Sequence, residues 1–194
     1  MVCTNDRSGI FSQIAGTLTS KGINILGAQI FTRKDRIAID TLQVASVDGT
    51  PLVEPKLWEE IERDLLDAIQ GEKGSEKPVV QGKRYLGFRS STTPVVPTRV
   101  EINNHISDTH TVVEVFTQDR LGLLYDITCA LHRLGIDIYI AKITTEVNKA
   151  IDVFYVTDLA GRKILVEEKL KQIREGLMEV LQLCTLPKSS KRVP

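Results

Sequence analysis

Apolar positions along the chain change period in a fixed order, and the order occurs twice. In the second half, Thr111–Phe116 is a short run of strand formers. Leu123, Leu124, Ile127, Leu131 and Leu134 then mark one face of a helix, and Gly135 is placed to end it. Ile136, Ile138 and Ile140 alternate as in a half-buried strand, and residues 150–157 predict another after a turn at Asn148. Val166, Leu170, Ile173, Leu177 and Leu181 return to helical spacing over 164–183. The first half gives a short run at 2–4, a helix over 9–21, strands over 23–33 and 37–47, and a helix over 55–70. Each half therefore reads β-α-β-β-α, one strand short of the split βαβ, or ferredoxin-like, unit.

The two halves also match residue by residue. Residues 3–32 set against 116–145 give 12 identities in 30, among them Asp6/Asp119, Arg7/Arg120, Gly9/Gly122, Ile14/Ile127 and Gly22/Gly135. Omitting one residue then aligns Asp40 with Asp152, Val44 with Val156 and Gly49 with Gly161. An offset near 113 is too long for a solenoid repeat, so the chain reads as two copies of one small α+β domain. The first copy spans 1–72, with a truncated opening strand; a connector spans 73–108, the second copy 109–186, and a disordered tail 187–194. The strand at 98–103 has two open placements: last strand of the first copy, or partner of the second. Residues 183–186 (L-C-T-L) are the only strand-like run after the last helix. The abrupt opening before N-D-R-S-G predicts a piece of a longer protein.

Composition narrows the function classes. Twenty-five basic and 25 acidic residues cancel, so the chain lacks the positive field of a nucleic-acid binder. No run approaches the ~18 apolar residues of a membrane span, and no apolar segment follows the first residues as in a secretory leader. Cys3, Cys129 and Cys184 are odd in number and far apart, as expected of reduced thiols in the cytoplasm.

No phosphate-binding glycine loop, HExxH, GxSxG or CxxC occurs. His105, Asp108 and His110 are close enough in sequence to consider as metal ligands, but they read better as polar residues of a turn. Cys129 falls mid-helix without a nearby base and reads as a packed residue. The twice-used element is T-N-D-R-S-G-I-F (4–11) and T-Q-D-R-L-G-L-L (117–124), at a strand-to-helix junction. Free amides and the helix dipole favour an anion there, and a glycine admits close approach. The plainer alternative is that Asp6 and Asp119 cap the helices and the glycines relieve the turns. Asn24 and Asp137, each between isoleucines, offer an oxygen to an ammonium group or stand in solvent. Together the two features would suit a free α-amino acid.

The D-R-x-G-hydrophobic-hydrophobic turn, the L-G-I-D-I strand entry and the element order resemble ACT domains, small amino-acid-sensing modules. A-I-D-T-L-Q-V in the first copy, P-T-R-V-E-I-N-N-x-x-S-D-T-H-T-V-V-E-V (97–115) and V-F-Y-V-T-D-L-A-G-R-K-I (153–164) resemble, more narrowly, the C-terminal tandem ACT domains of bifunctional protein-PII uridylyltransferase/uridylyl-removing enzymes. The resemblance implies two ferredoxin-like (βαββαβ) ACT domains in tandem that sense glutamine and bias uridylylation against deuridylylation of the PII protein. It implies partners in upstream catalytic domains of the same protein and, through them, PII. It implies neither nucleic acid nor membrane as partner, and leaves open a homodimer through the ACT sheets. The catalytic domains, with Mg2+, would lie upstream, leaving this segment without catalytic residues or cofactor. Carried over by position, the implied effector-binding residues are Asp6, Arg7, Gly9, Ile10, Phe11 and Asn24, with Asp119, Arg120, Gly122, Leu123, Leu124 and Asp137. Ser8 and Leu121 stand where the family's turn usually carries proline, which removes a preset φ. A ligand-free structural or dimerisation module and a free-standing regulator with two ACT domains are the rival readings.

Overall fold

The structure, a computed structural model, describes residues 1–47, 52–71, 96–146 and 149–182. The expected turn at Asn148, most of the connector, the strand-like run 183–186 and the tail lie outside the described residues. The elements are β1 (Val2–Asn5), α1 (Ile10–Ser20), β2 (Ile23–Thr32), β3 (Ile37–Ser46) and α2 (Pro55–Gln70) in the first unit. They continue with β4 (Arg99–Asn103), β5 (Thr111–Gln118), α3 (Leu123–Arg133), β6 (Ile136–Glu146), β7 (Lys149–Asp158) and α4 (Glu167–Gln182). All seven strands form one antiparallel sheet in the order β1-β3-β2-β6-β7-β5-β4.

The two units are joined by β2 and β6, the equivalent strand of each copy. Their register runs from Gly27↔Thr144 through Gln29↔Lys142 to Phe31↔Ile140. Gln29 and Lys142 are themselves counterparts at the 113-residue offset, so the pairing is self-complementary about that point. Even the irregularities repeat: β2 bulges at Leu26 and β6 at its counterpart Tyr139. Helices follow the same symmetry, packing in the order α2-α1-α3-α4. Gly16 of α1 lies under the Tyr125 ring of α3, where an added Cβ would come within 2.8 Å of a ring carbon. A single apolar core results, with Ile14 and Ala15 of α1, Ile127 and Leu131 of α3, and Ala28, Ala141 and Phe154 of the sheet all buried.

One open placement resolves against the first copy. The strand at 99–103 does not close the sheet beside β1; it pairs with β5, from Arg99↔Phe116 to Asn103↔Val112. Only residues 104–110 separate β4 from β5, so little loop entropy is lost in forming that hairpin. Val100 and Ile102 then face Val115 and Val113 on the core side. The loop is pinned: Lys163 Nζ donates to Asn104 O at 2.6 Å and Ser107 O at 2.5 Å. Thr111 Oγ1 accepts from the Ile164 amide at 3.0 Å. Among the described residues, each copy's own sequence therefore supplies β-α-β-β-α, and β4 takes the edge beside β5.

Candidate functional site

Each helix of the inner pair begins at a glycine in the left-handed region that residues with a Cβ rarely adopt, Gly9 at φ 79 and Gly122 at φ 77. The turn places the helix start hard against the strand that precedes it. The Ile10 amide donates back to Arg7 O, and the Leu123 amide to Arg120 O, both at 3.1 Å. No side chain caps either helix, so the amides of Leu124 and Tyr125, like those of Phe11 and Ser12, have no partner from the helix itself. Because β2 and β6 run antiparallel about the pseudo-twofold, each turn faces the start of the other unit's second strand. The sequence-predicted residues other than Arg7 thus separate between two junctions.

At the second junction, Asn24, Asp119, Arg120, Gly122, Leu123 and Leu124 all line one small cavity. They are joined by Thr19, Ile25, Ile143, Thr145, Ala150 and Asp152. Asn24 Nδ2 donates to Asp119 Oδ2 at 3.0 Å, across the boundary between units. Arg120 is held at the cavity wall by Asp126, 2.6 Å from its Nη2. Asp152 is the residue that stands out chemically: it is 1% exposed, on the core side of β7, and its Oδ1 has no hydrogen-bond partner. Burial, reinforced by the neighbouring charge of Asp119, pushes its pKa up to about 7, while the Thr144 amide opposes the shift. Burial also raises Asp119, against the stabilising Asn24 amide, Arg120 amide and Arg120 guanidinium. Two carboxylates thus border a cavity whose nearest cation is already engaged by Asp126.

The first junction brings together Asp6, Ser8, Gly9 and Asp137 with the His132 ring, while Ile10 and Phe11 follow Gly9 as buried residues of α1. Asp6 and Asp137 are both raised, burial being the larger cause in each, with Asp137 adding repulsion at Asp6. Arg7 leaves this constellation. Its Nη2 reaches Gln13 Oε1 at 2.7 Å and the Ile69 and Ala68 carbonyls at 3.0 and 3.1 Å, at the negative end of α2. Asp40, the counterpart of Asp152, is 1% exposed with both oxygens unpartnered, and burial raises it to about 6, Asp6 contributing.

Asp40 and Asp152 are the site residues that motif reading missed, together with Thr19 and Thr145. The signal existed: A-I-D recurs at 38–40 and 150–152, an acid in a run of strand formers at matching places in the repeat. The other polar clusters have structural settings. His105 and Asp108 lie in the β4–β5 hairpin loop, and His110 at its end stacks on Tyr139 with ring centroids 4.8 Å apart. Cys129 is half-buried on α3 beside Tyr125. No helix among the described residues is long and apolar enough to cross a membrane.

Two like α+β units side by side, with paired helix-start turns at their boundary, form a tandem repeat of one small domain. The family comparison agrees: residues 1–63 match the ACT domain and residues 99–186 the ACR9-like, ACT-like domain. The chain is a tandem of two ACT domains. Over most of its length it is similar to proteins described as bifunctional uridylyltransferase/uridylyl-removing enzyme. That of Azospirillum brasilense is 42% identical over 187 residues, covering 93% of this chain and 19% of that protein. Those of Gluconobacter oxydans and Rhodospirillum rubrum are 39% and 36% identical, each covering 91% of this chain and 18% and 19% of the respective protein. The chain spans about a fifth of the length of these relatives.

Proposed function

We propose that the second junction binds a free α-amino acid, glutamine, and that its occupancy shifts a parent enzyme between uridylylating the PII protein and removing the uridylyl group. The observation that carries this reading is the buried, half-unpartnered carboxylate of Asp152 in a cavity that also meets the uncapped start of α3. A carboxylate so placed is costly unless a proton or a cation joins it. An ammonium group set between Asp119 and Asp152 meets that need, and the amides at the helix start take the α-carboxylate. Asn24 and Thr145, already on the wall, offer hydrogen-bonding partners to a side-chain amide. Asn24 is thus a secondary partner, since its own amide group is given to Asp119. The choice of glutamine rests on similarity to the uridylyltransferases. In this reading the segment performs no reaction of its own and uses no cofactor; chemistry and Mg2+ belong to domains elsewhere in the parent.

A ligand can shift the enzyme only as far as it binds one state better than the other. A cavity shared by two units suits that role, because any change in how they sit alters it. Titration calorimetry with glutamine gives a saturable heat at millimolar ligand or below. Gly122→Val removes that heat, while Gly161→Val keeps it: Gly161 shares the positive φ at 73 but has open space around its added Cβ. Absence of heat from the folded unaltered chain, or binding that survives Gly122→Val, contradicts the proposal.

A further inference from the structure

We infer that the two junctions are not equivalent: His132 closes the first, so the chain takes one amino-acid ligand, at the second. The inference rests on the reading of the second junction given above. The repeat offset makes His132 the counterpart of Thr19, and both stand over the helix-start glycine of the opposite unit. At the first junction the imidazole lies broadside on Gly9. A Cβ there would be 2.8 Å from Cε1 and 3.0 Å from both Nδ1 and Nε2. The ring therefore occupies the approach to the backbone that a ligand would need. Ser8 Oγ, 3.2 Å from Nδ1, holds it in place.

At the second junction the corresponding contact is a single methyl: Thr19 Cγ2 would lie 3.0 Å from a Cβ on Gly122. Thr19 is buried, its hydroxyl donated to Ala15 O at 2.7 Å, and the cavity remains open beside it. A second substitution works in the same direction, since Phe11 fills the position that Leu124 holds at the second junction. The strand-start residue differs as well. Neutral Asn24 partners Asp119, whereas the first junction has Asp137, whose pKa burial raises against the opposing Ser8 hydrogen bond and the charges of Arg36 and His132. The imidazole thus fills, from within the chain, the approach to the helix start that the second junction leaves open to a ligand's carboxylate.

His132 is exposed, so its replacement tests ligand access without removing core packing. The unaltered chain binds one equivalent of glutamine by calorimetry. His132→Thr raises the ratio to two, and His132→Thr combined with Gly122→Val returns it to one, now at the first junction, with circular dichroism confirming the fold of each variant. Two equivalents bound by the unaltered chain overturn this inference while leaving the sensor reading intact. A ratio that stays at one in His132→Thr overturns the role given to the imidazole. No heat at all from the unaltered chain sinks the sensor reading and this inference with it.

Discussion

At the residue scale, Asp152 connects stability, protonation and binding. Its carboxyl has a pKa of about 7 in the folded chain and an ordinary value near 3.8 when exposed. Between those values the folded state holds the extra proton, so stability is highest at the acid end and declines as pH rises through about 4 to 7. Asp152→Asn removes that penalty. At pH 8 the variant melts higher than the unaltered chain, by roughly 5 °C, and the difference disappears toward pH 4; it also loses glutamine binding. Glutamine's ammonium favours the ionised carboxylate, so affinity falls as pH drops below about 7, by up to roughly tenfold per unit. Melting curves and titrations at pH 4, 6 and 8 check both. A variant that melts lower at pH 8, or binds as before, contradicts the assignment. Little of this was legible in the sequence. Residues 150–157 are apolar on both parities, with Ile151, Val153 and Tyr155 on one side and Phe154 and Val156 on the other. Alternation alone could not say that Asp152 points into the core.

At the scale of elements, the helices and strands expected from periodicity are present with small differences at their ends. The first helix begins at Ile10 rather than residue 9, and the last begins at Glu167 rather than residue 164. The strand-to-helix turns stood out because glycine and aspartate recur there in both copies. What periodicity could not supply was pairing. Val100 and Ile102 mark β4 as a strand, but two sheet edges were open to it and the short hairpin to β5 decided between them. The directions of Arg7 and Arg120 were equally hidden. One depends on the carbonyl end of α2 and the other on Asp126. The α1–α3 contact positions Thr19 and the α3 start on the same cavity, so disturbing it reaches the site. Gly16→Val drives a side chain into the Tyr125 ring, 2.8 Å from the added Cβ. Overpacking of this kind costs about 1–3 kcal/mol. The variant melts several degrees lower and binds glutamine at least tenfold more weakly, as melting curves and calorimetry will show; unchanged affinity separates the helix contact from the site.

At the scale of the whole molecule, duplication is the organising fact. Two units of one design meet through their equivalent strands and helices, and each places a helix-start turn against the other. Neither unit alone contains the second cavity: Thr19, Asn24 and Ile25 come from one, and Asp119, Gly122 and Asp152 from the other. On the proposed function, the tandem is therefore the binding unit. Repetition itself was plain in the sequence, but its closure into a continuous sheet about Gln29 and Lys142 was not, because nothing local distinguishes a strand that pairs inside its unit from one that pairs across. The most direct measurement is a crystal structure of the chain soaked with glutamine. It should show one molecule between the start of α3 and the carboxylates of Asp119 and Asp152, with its ammonium on the carboxylate side. An empty second junction at saturating ligand, or glutamine bound away from these residues, contradicts the account.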